Sequence, residues 1–150
     1  MDNYINYNQD LWNELTPIHE RSKFYDLEGF RSGKQSLKSI ELDELGDVSG
    51  KSLLHLQCHF GVDTLSWARK GGIVTGIDFS DASINLAQSL SRELGIKASF
   101  FRANIYDLPD ILKAEFDIVY TSYGVLAWLP DLKRWAEIIV HYLKRGGFFY

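Results

Sequence analysis

An apolar run, Ser52 to Leu56, leads into Gln57-Cys58-His59-Phe60-Gly61 and then into Val62 to Lys70, a stretch of helical composition. A strand turning sharply into a helix gathers unpaired backbone N–H groups and the positive end of a helix dipole at one point, a suitable place for a polar or anionic cofactor. Such turns usually carry several glycines, because a residue without Cβ takes positive φ and lets a ligand approach the backbone. Here Gly61 stands alone in the turn. Asp78 closes the segment GGIVTGID, 17 residues beyond Gly61, close to the spacing at which an acid accepts hydrogen bonds from ribose hydroxyls. By itself, Asp78 with Phe79, Ser80 and Asp81 reads equally well as an acidic helix start. Asn104-Ile105 and Thr121 to Gly124 complete a set of four turns, and with all four in view ribose binding is the favoured reading. Cys58 and His59 also invite a reading as metal ligands or as a thiol–imidazole pair. Adjacent side chains rarely converge on one ion and no partner cluster has ligand spacing, so Cys58 is expected to pack and no metal is expected.

These turns need elements to hold them. Ser52 to Leu56, Ile73 to Ile77, Lys97 to Phe101 and Phe116 to Thr121 read as strands, and FFY at the C-terminus opens a fifth. Between them, Val62 to Lys70 is a helix stopped by Gly71-Gly72. A second begins at Ser80 or Asp81 and buries Ile84, Ala87, Leu90 and Leu94. A third is capped by Asp131, buries Leu132, Trp135, Ile138, Ile139, Tyr142 and Leu143, and stops at Gly146-Gly147. Strand and helix alternating at this spacing imply right-handed crossovers and a mainly parallel sheet with helices on both faces. Ligands in such sheets bind off the carboxyl ends of the strands, where the strand order reverses, and all four turns fall at those ends.

Before Gly46 the character differs. Asn8 to Leu15 and Ser36 to Leu45 are expected as short amphipathic helices, joined by the aromatic and charged stretch HERSKFYDLEGFRSGK. Residues 1–45 are therefore expected to form an N-terminal helical cap or lid and 46–150 the core, with Phe24 to Lys34 as a movable loop, Trp12 as cap packing, and Trp128 with Trp135 in the core. The sheet is expected to be truncated in its fifth strand, leaving an exposed last strand open to homo-oligomerisation.

Bulk properties narrow the class. A chain of 150 residues, 45% hydrophobic and 24% charged, suits one well-buried globular core. A formal net charge of −4 offers no broad cationic field, so neither nucleic acid nor anionic lipid is an expected partner. One cysteine, no signal-peptide pattern and no apolar run approaching the roughly 20 residues that span a bilayer lead to an expected cytoplasmic location without membrane insertion.

LLHLQCHFG, VTGIDFS, FFRANIYDLP, FDIVYTSYGVLAWLPD and LKRGGFFY follow the order and spacing of the motifs of class I S-adenosylmethionine-dependent methyltransferases, over about Gly50 to Tyr150. The set is far more specific than any one member. The resemblance implies a Rossmann-like, doubly wound α/β fold and S-adenosyl-L-methionine as cofactor. In the family pattern LDLGCGTG, His55 stands where an acid is expected, and Gln57 and His59 where two glycines are. Carried over position by position, Gln57, Cys58, His59 and Gly61 form the cofactor turn, Asp78 looks like the ribose acid and Phe79 like the residue on the adenine face. Asn104 looks like the partner of the adenine amino group, Ile105 would offer its N–H to the ring, and Thr121 with the residues to Gly124 would floor the methionine end.

The glycine-poor turn also weighs between cofactors. A dinucleotide rests its doubly charged pyrophosphate on the backbone amides and needs those glycines, whereas S-adenosylmethionine has no phosphate. The leading reading is methyl transfer to a small-molecule acceptor, with a non-catalytic methyltransferase-like binding domain and a nucleotide-dependent oxidoreductase as rivals. An in-line displacement needs no protein nucleophile, and no residue is singled out as a catalytic base among the weak candidates His19, His59 and Tyr123.

Overall fold

The computed structural model describes residues 2–150. Three helices come first: α1 (Asp2–Glu20), α2 (Leu27–Arg31) and α3 (Ser39–Leu45). They are followed by β1 (Ser52–Leu56), α4 (Val62–Arg69), β2 (Ile73–Asp78), α5 (Asp81–Glu93) and β3 (Ser99–Arg102). A 3-10 turn at Ile105–Asp107 runs into α6 (Leu108–Ile111), then come β4 (Phe116–Thr121), a second 3-10 turn at Leu126–Trp128, α7 (Leu132–Tyr142) and β5 (Leu143–Phe149). All neighbouring strands pair in parallel in the order β3-β2-β1-β4-β5. The order reverses between β1 and β4, which opens a crevice at their carboxyl ends.

Alternation along β1 sends its side chains to opposite faces. Leu54 and Leu56 pack with Val119, Ile138, Ile139 and Tyr142 beneath α7, while Leu53 packs with Ile118, Tyr120, Trp67 and Leu45 beneath α3 and α4. A third cluster, Phe60, Leu65, Ile84, Ala87, Leu90 and Phe100, lies directly under the β1–α4 turn and supports it. Ser80 caps α5 by accepting from the Ser83 N–H at 3.1 Å, and Asp131 caps α7 by accepting from the Arg134 N–H at 2.9 Å. The doubly wound α/β architecture read from the sequence is the one observed. Among the described residues no helix is long and apolar enough to cross a membrane.

Several elements differ from the sequence reading, each for a physical reason. The expected helix Asn8–Leu15 is one 19-residue helix, α1, with Pro17 near its end. Its inward face is polar: the Gln9 amide donates to the Phe79 carbonyl at 2.7 Å, Asn13 Oδ1 accepts from the Ser80 hydroxyl at 2.7 Å, and Thr16 meets Ser83 at 2.8 Å. A helix docked by hydrogen bonds carries no apolar stripe to betray its length. Helix α3 begins three residues late, because Ser36 is drawn off to the Asp63 carboxylate and the Ser66 hydroxyl.

Within Phe24 to Lys34, expected as a loop, α2 packs on the core while Phe24 is 85% exposed. Leu27 and Phe30 are each 2% exposed, and the Arg69 guanidinium lies 4.1 Å from the Phe30 ring while donating to its carbonyl. Gly29 serves packing there, since a Cβ would lie 2.3 Å from the Asp26 carboxylate that caps α2. At the C-terminus, α7 ends at Tyr142, so Leu143 opens β5 rather than extending the buried side of the helix, and Leu132 in the first turn is 49% exposed. Gly146 and Gly147 do not stop a helix; they lie inside β5, at an irregularity between the pairs Phe116↔Leu143 and Ile118↔Phe148. Gly147 is needed because a Cβ would sit 2.8 Å from the Asp117 carbonyl. The same end of the sheet is tied by Lys144, whose Nζ reaches Asp117 Oδ1 at 3.1 Å and Ser52 Oγ at 3.0 Å. Hydrogen bonds from Ser52, with Lys144 added, hold the Asp117 carboxyl down at about 2.

Candidate functional site

The carboxyl ends of β1, β2 and β4, covered on one side by α1, enclose a cleft of about 1040 Å³, its open mouth included. Its floor is the β1–α4 turn. There the backbone passes through positive φ three times, at Gln57 (φ 51°), His59 (φ 52°) and Gly61 (φ 75°). A side chain in that region costs about 1–2 kcal/mol per residue, so the turn keeps its shape by other means. The Cys58 N–H donates to the Ile77 carbonyl at 2.8 Å, the Gly61 N–H to the Cys58 carbonyl at 3.0 Å, and the His59 N–H to Asp78 Oδ2 at 2.8 Å. Cys58 itself is 4% exposed and burial pushes its thiol well up, in keeping with the packing role expected of it.

Gln57 carries a second cost. Both amide atoms are shut off from solvent without a hydrogen-bond partner, although the side chain borders the cleft. Gln57→Gly removes both the positive-φ strain and the unpaired amide, against a loss from the freer unfolded chain. The variant is expected to be more stable by about 1 kcal/mol, read as a raised urea midpoint at unchanged slope. A lowered midpoint would show that the turn is not strained.

Asp78 joins two turns. Its Oδ2 accepts from the His59 N–H and its Oδ1 from the Ser80 N–H at 2.9 Å, so one carboxylate fixes the floor of the cleft and the start of α5. It is 8% exposed. Burial pushes its pKa up to about 6, against the backbone N–H groups of Ser80, His59 and Phe79 that pull it down. Each oxygen keeps a lone pair for a ligand hydroxyl. Phe79 lines the wall beside it. Asn104 turns its Oδ1 to the Tyr106 N–H at 3.1 Å, and Ile105 is buried at the cleft edge.

The structure thus brings Gln57, Cys58, His59, Gly61, Asp78, Phe79, Asn104 and Ile105 around one cleft. Thr121 is the exception. It is the last residue of β4, paired with Leu56 of β1, and its hydroxyl donates to the Leu56 carbonyl at 3.4 Å, while Ser122 to Gly124 line the cleft in its place. His55, at the family's acid position, is 1% exposed with Nδ1 on the Thr64 hydroxyl at 2.8 Å and Nε2 unpaired, and burial holds it down at about 3, neutral.

The walls hold residues that the strand-end logic misses. Ile5, Asn8 and Trp12, at spacings of three and four along α1, face the cleft. Trp12 meets Trp128 edge to face at 5.3 Å, so Trp128 is a wall residue at 40% exposure while Trp135 alone joins the core. Tyr25, Leu129 and Pro130 complete an apolar rim, and Asp63 stands at the start of α4 with its carboxyl raised by burial.

Compared with known proteins, residues 53–147 match the family model of the methyltransferase domain. The ubiquinone biosynthesis O-methyltransferase of Saccharophagus degradans is 28% identical over 138 residues, covering 92% of this chain and 52% of that protein. The chain spans about half the length of the curated relatives it matches. Among solved structures, the DhpI–SAH complex aligns with a TM-score of 0.74 at 18% identity, over 99% of this chain and 68% of that one. The [4+2]-cyclase SpnF aligns with a TM-score of 0.71 at 21% identity, over 94% and 57%. These two likenesses are of fold. With the motif order, the doubly wound sheet and the family match over most of the core, the chain belongs to the methyltransferase-domain family, the class I S-adenosylmethionine-dependent methyltransferases.

Proposed function

We propose that this chain binds S-adenosylmethionine in the β1–β2–β4 cleft and transfers its methyl group to a small-molecule acceptor. The observation that carries the reading is Asp78: a buried carboxylate at the β2 carboxyl end with free lone pairs, on a cleft that Gln57, Phe79, Asn104 and Ile105 also line. These residues fit the cofactor. Asp78 would accept from the ribose hydroxyls, Phe79 would flank the adenine, Ile105 would offer its N–H to the ring, Asn104 would meet the amino group, and the Gln57 amide would turn to the amino-acid end. When bound, S-adenosylmethionine supplies the methyl electrophile. Trp12, Tyr25, Trp128 and Leu129 would exclude water from the reacting atoms and hold the acceptor in line, which is the main task left to the protein.

The acceptor reading follows from the small apolar rim and the acidic chain, and the name of the Saccharophagus relative supports an oxygen acceptor. Residues 1–45 belong in this reading to the cap that completes the cleft. Isothermal titration with S-adenosylhomocysteine, with NAD as control, tests the cofactor. Dissociation constants in the micromolar range or tighter are expected for the former alone. Binding of NAD instead, or of neither, refutes the proposal in favour of an oxidoreductase or a non-catalytic domain.

A further inference from the structure

Between α1 and the β1–α4 turn lies a chain of hydrogen bonds that the proposed reaction does not use. The Thr16 hydroxyl donates to the Trp12 carbonyl at 2.7 Å, and its oxygen lies 2.8 Å from Ser83 Oγ. Ser83 Oγ lies 2.9 Å from His59 Nδ1, and His59 Nε2 lies 3.1 Å from His19 Nδ1. A carbonyl only accepts, so the Thr16 proton is committed to Trp12. To give every contact one proton, Ser83 then donates to Thr16, His59 donates from Nδ1 to Ser83, and His19 donates from Nδ1 to His59 Nε2. Both tautomers are thereby assigned from the network.

The His59 ring joins the turn, α5 and α1. It is walled by Phe60 at 4.2 Å, Trp12 at 5.1 Å and Tyr25 at 5.4 Å between ring centres. Burial, with His19 beside it, holds the imidazole down at about 3, so it stays the neutral acceptor that His19 requires. The backbone of this residue is at φ 52°, where glycine would be free of strain. A side chain that occupies a glycine conformation and spends both ring nitrogens on neighbouring elements is a fastening. The chain also ends on the carbonyl of Trp12, whose ring forms the cleft wall.

We propose that His59 is a positioning residue: its imidazole fastens α1 across the cofactor turn and sets the shape of the cleft, so that the less strained glycine at this position binds the cofactor more weakly. The proposal rests on the cofactor reading above. Two variants of the full chain test it, His59→Gly and His19→Phe, the latter keeping an aromatic ring on α1 while removing the donor and leaving the turn untouched. S-adenosylhomocysteine titration, amide hydrogen exchange along α1 and the thermal midpoint are read for each.

His59→Gly is expected to weaken S-adenosylhomocysteine about tenfold, and His19→Phe several-fold, the loss of one or two net hydrogen bonds. Exchange along α1 is expected to accelerate in both while the strand amides of the sheet keep their protection, a separation that a general loss of stability would not produce. Affinity within about twofold of the unsubstituted chain in both variants, at unchanged α1 exchange, overturns the proposal alone. Failure of the unsubstituted chain to bind S-adenosylhomocysteine overturns the cofactor reading and this proposal with it.

Discussion

Asp78→Ala is expected to weaken S-adenosylhomocysteine binding about a hundredfold, the loss of two charge-assisted hydrogen bonds to ribose, while changing the thermal midpoint little. The small change in stability follows from two opposed contributions. The carboxyl is raised from 3.8 to about 6 on folding, so its neutral form is favoured in the folded chain. That stabilisation is complete below the unfolded value and is lost as pH rises through about 6. Near neutrality the buried charge therefore costs roughly 3 kcal/mol, and alanine removes that cost. Against this, alanine leaves the His59 and Ser80 N–H groups without their acceptor.

Binding has the opposite pH dependence to stability. Ribose hydroxyls donate to the carboxylate form, so affinity for S-adenosylhomocysteine is expected to fall by up to tenfold per unit as pH drops below about 6. The dependence on that group disappears in Asp78→Ala. Calorimetric titration across this range in both chains checks the pair of expectations, and equal affinity of the two at neutral pH would remove Asp78 from the site.

The second large effect lies behind the cleft. Glu41, 2% exposed, accepts from the Lys38 N–H at 2.8 Å through one oxygen and from the Tyr120 hydroxyl through the other. Its helix, α3, is thereby held to the carboxyl end of β4. Burial and the nearby carboxylates of Asp63 and Glu41 keep the Tyr120 phenol protonated, raising it far above its usual range, so the donor is always present. Tyr120→Phe keeps the ring, which packs edge on to His55 at 4.7 Å and Trp67 at 6.0 Å, and strips one oxygen of a buried carboxylate of its partner. The expected loss is about 2–3 kcal/mol, a fall of roughly 5–10 °C in thermal midpoint for a chain of this size. Glu41→Gln, which still accepts from the phenol, is expected to lose less. Urea denaturation of the two variants settles the order, and a Tyr120→Phe chain as stable as the parent would show the contact to be of no energetic account.

How far the sequence announced this structure depends on what holds each element. The strands β1 and β4 were legible because they are buried on both faces and so read as continuous apolar runs, and α5 and α7 because Ser80 and Asp131 cap them by a local rule. Strand-end residues such as Asp78 and Asn104 followed once the strands were placed. Helix α1 was cut short because Gln9, Asn13 and Thr16 dock it through polar contacts made 67 to 70 residues away, which no periodicity of apolar residues records. Trp128 and Thr121 were misplaced for a related reason: which way a residue at or past a strand end turns is decided by its neighbours in space, here Leu56 for Thr121 and Trp12 for Trp128.

Phe100 gives Gly61, the glycine of the β1–α4 turn, a second meaning. A Cβ at Gly61 would lie 2.6 Å from its ring, and one at Gly76, its partner across β2 and β3, would also lie 2.6 Å away. The requirement at Gly61 is thus imposed from below, by an aromatic ring two strands over, as much as from above by any ligand. Gln57 and His59 carry side chains at the same sign of φ, so the left-handed backbone of the turn does not by itself demand glycine. A smaller residue in place of Phe100 would remove the closest obstruction at both glycines, leaving Cys58 Sγ 2.9 Å from a Cβ at Gly76 and Ala87 Cβ 3.2 Å from one at Gly61, so the turn and the third strand constrain each other through one ring and alterations to the floor of the cleft are best designed on the two at once.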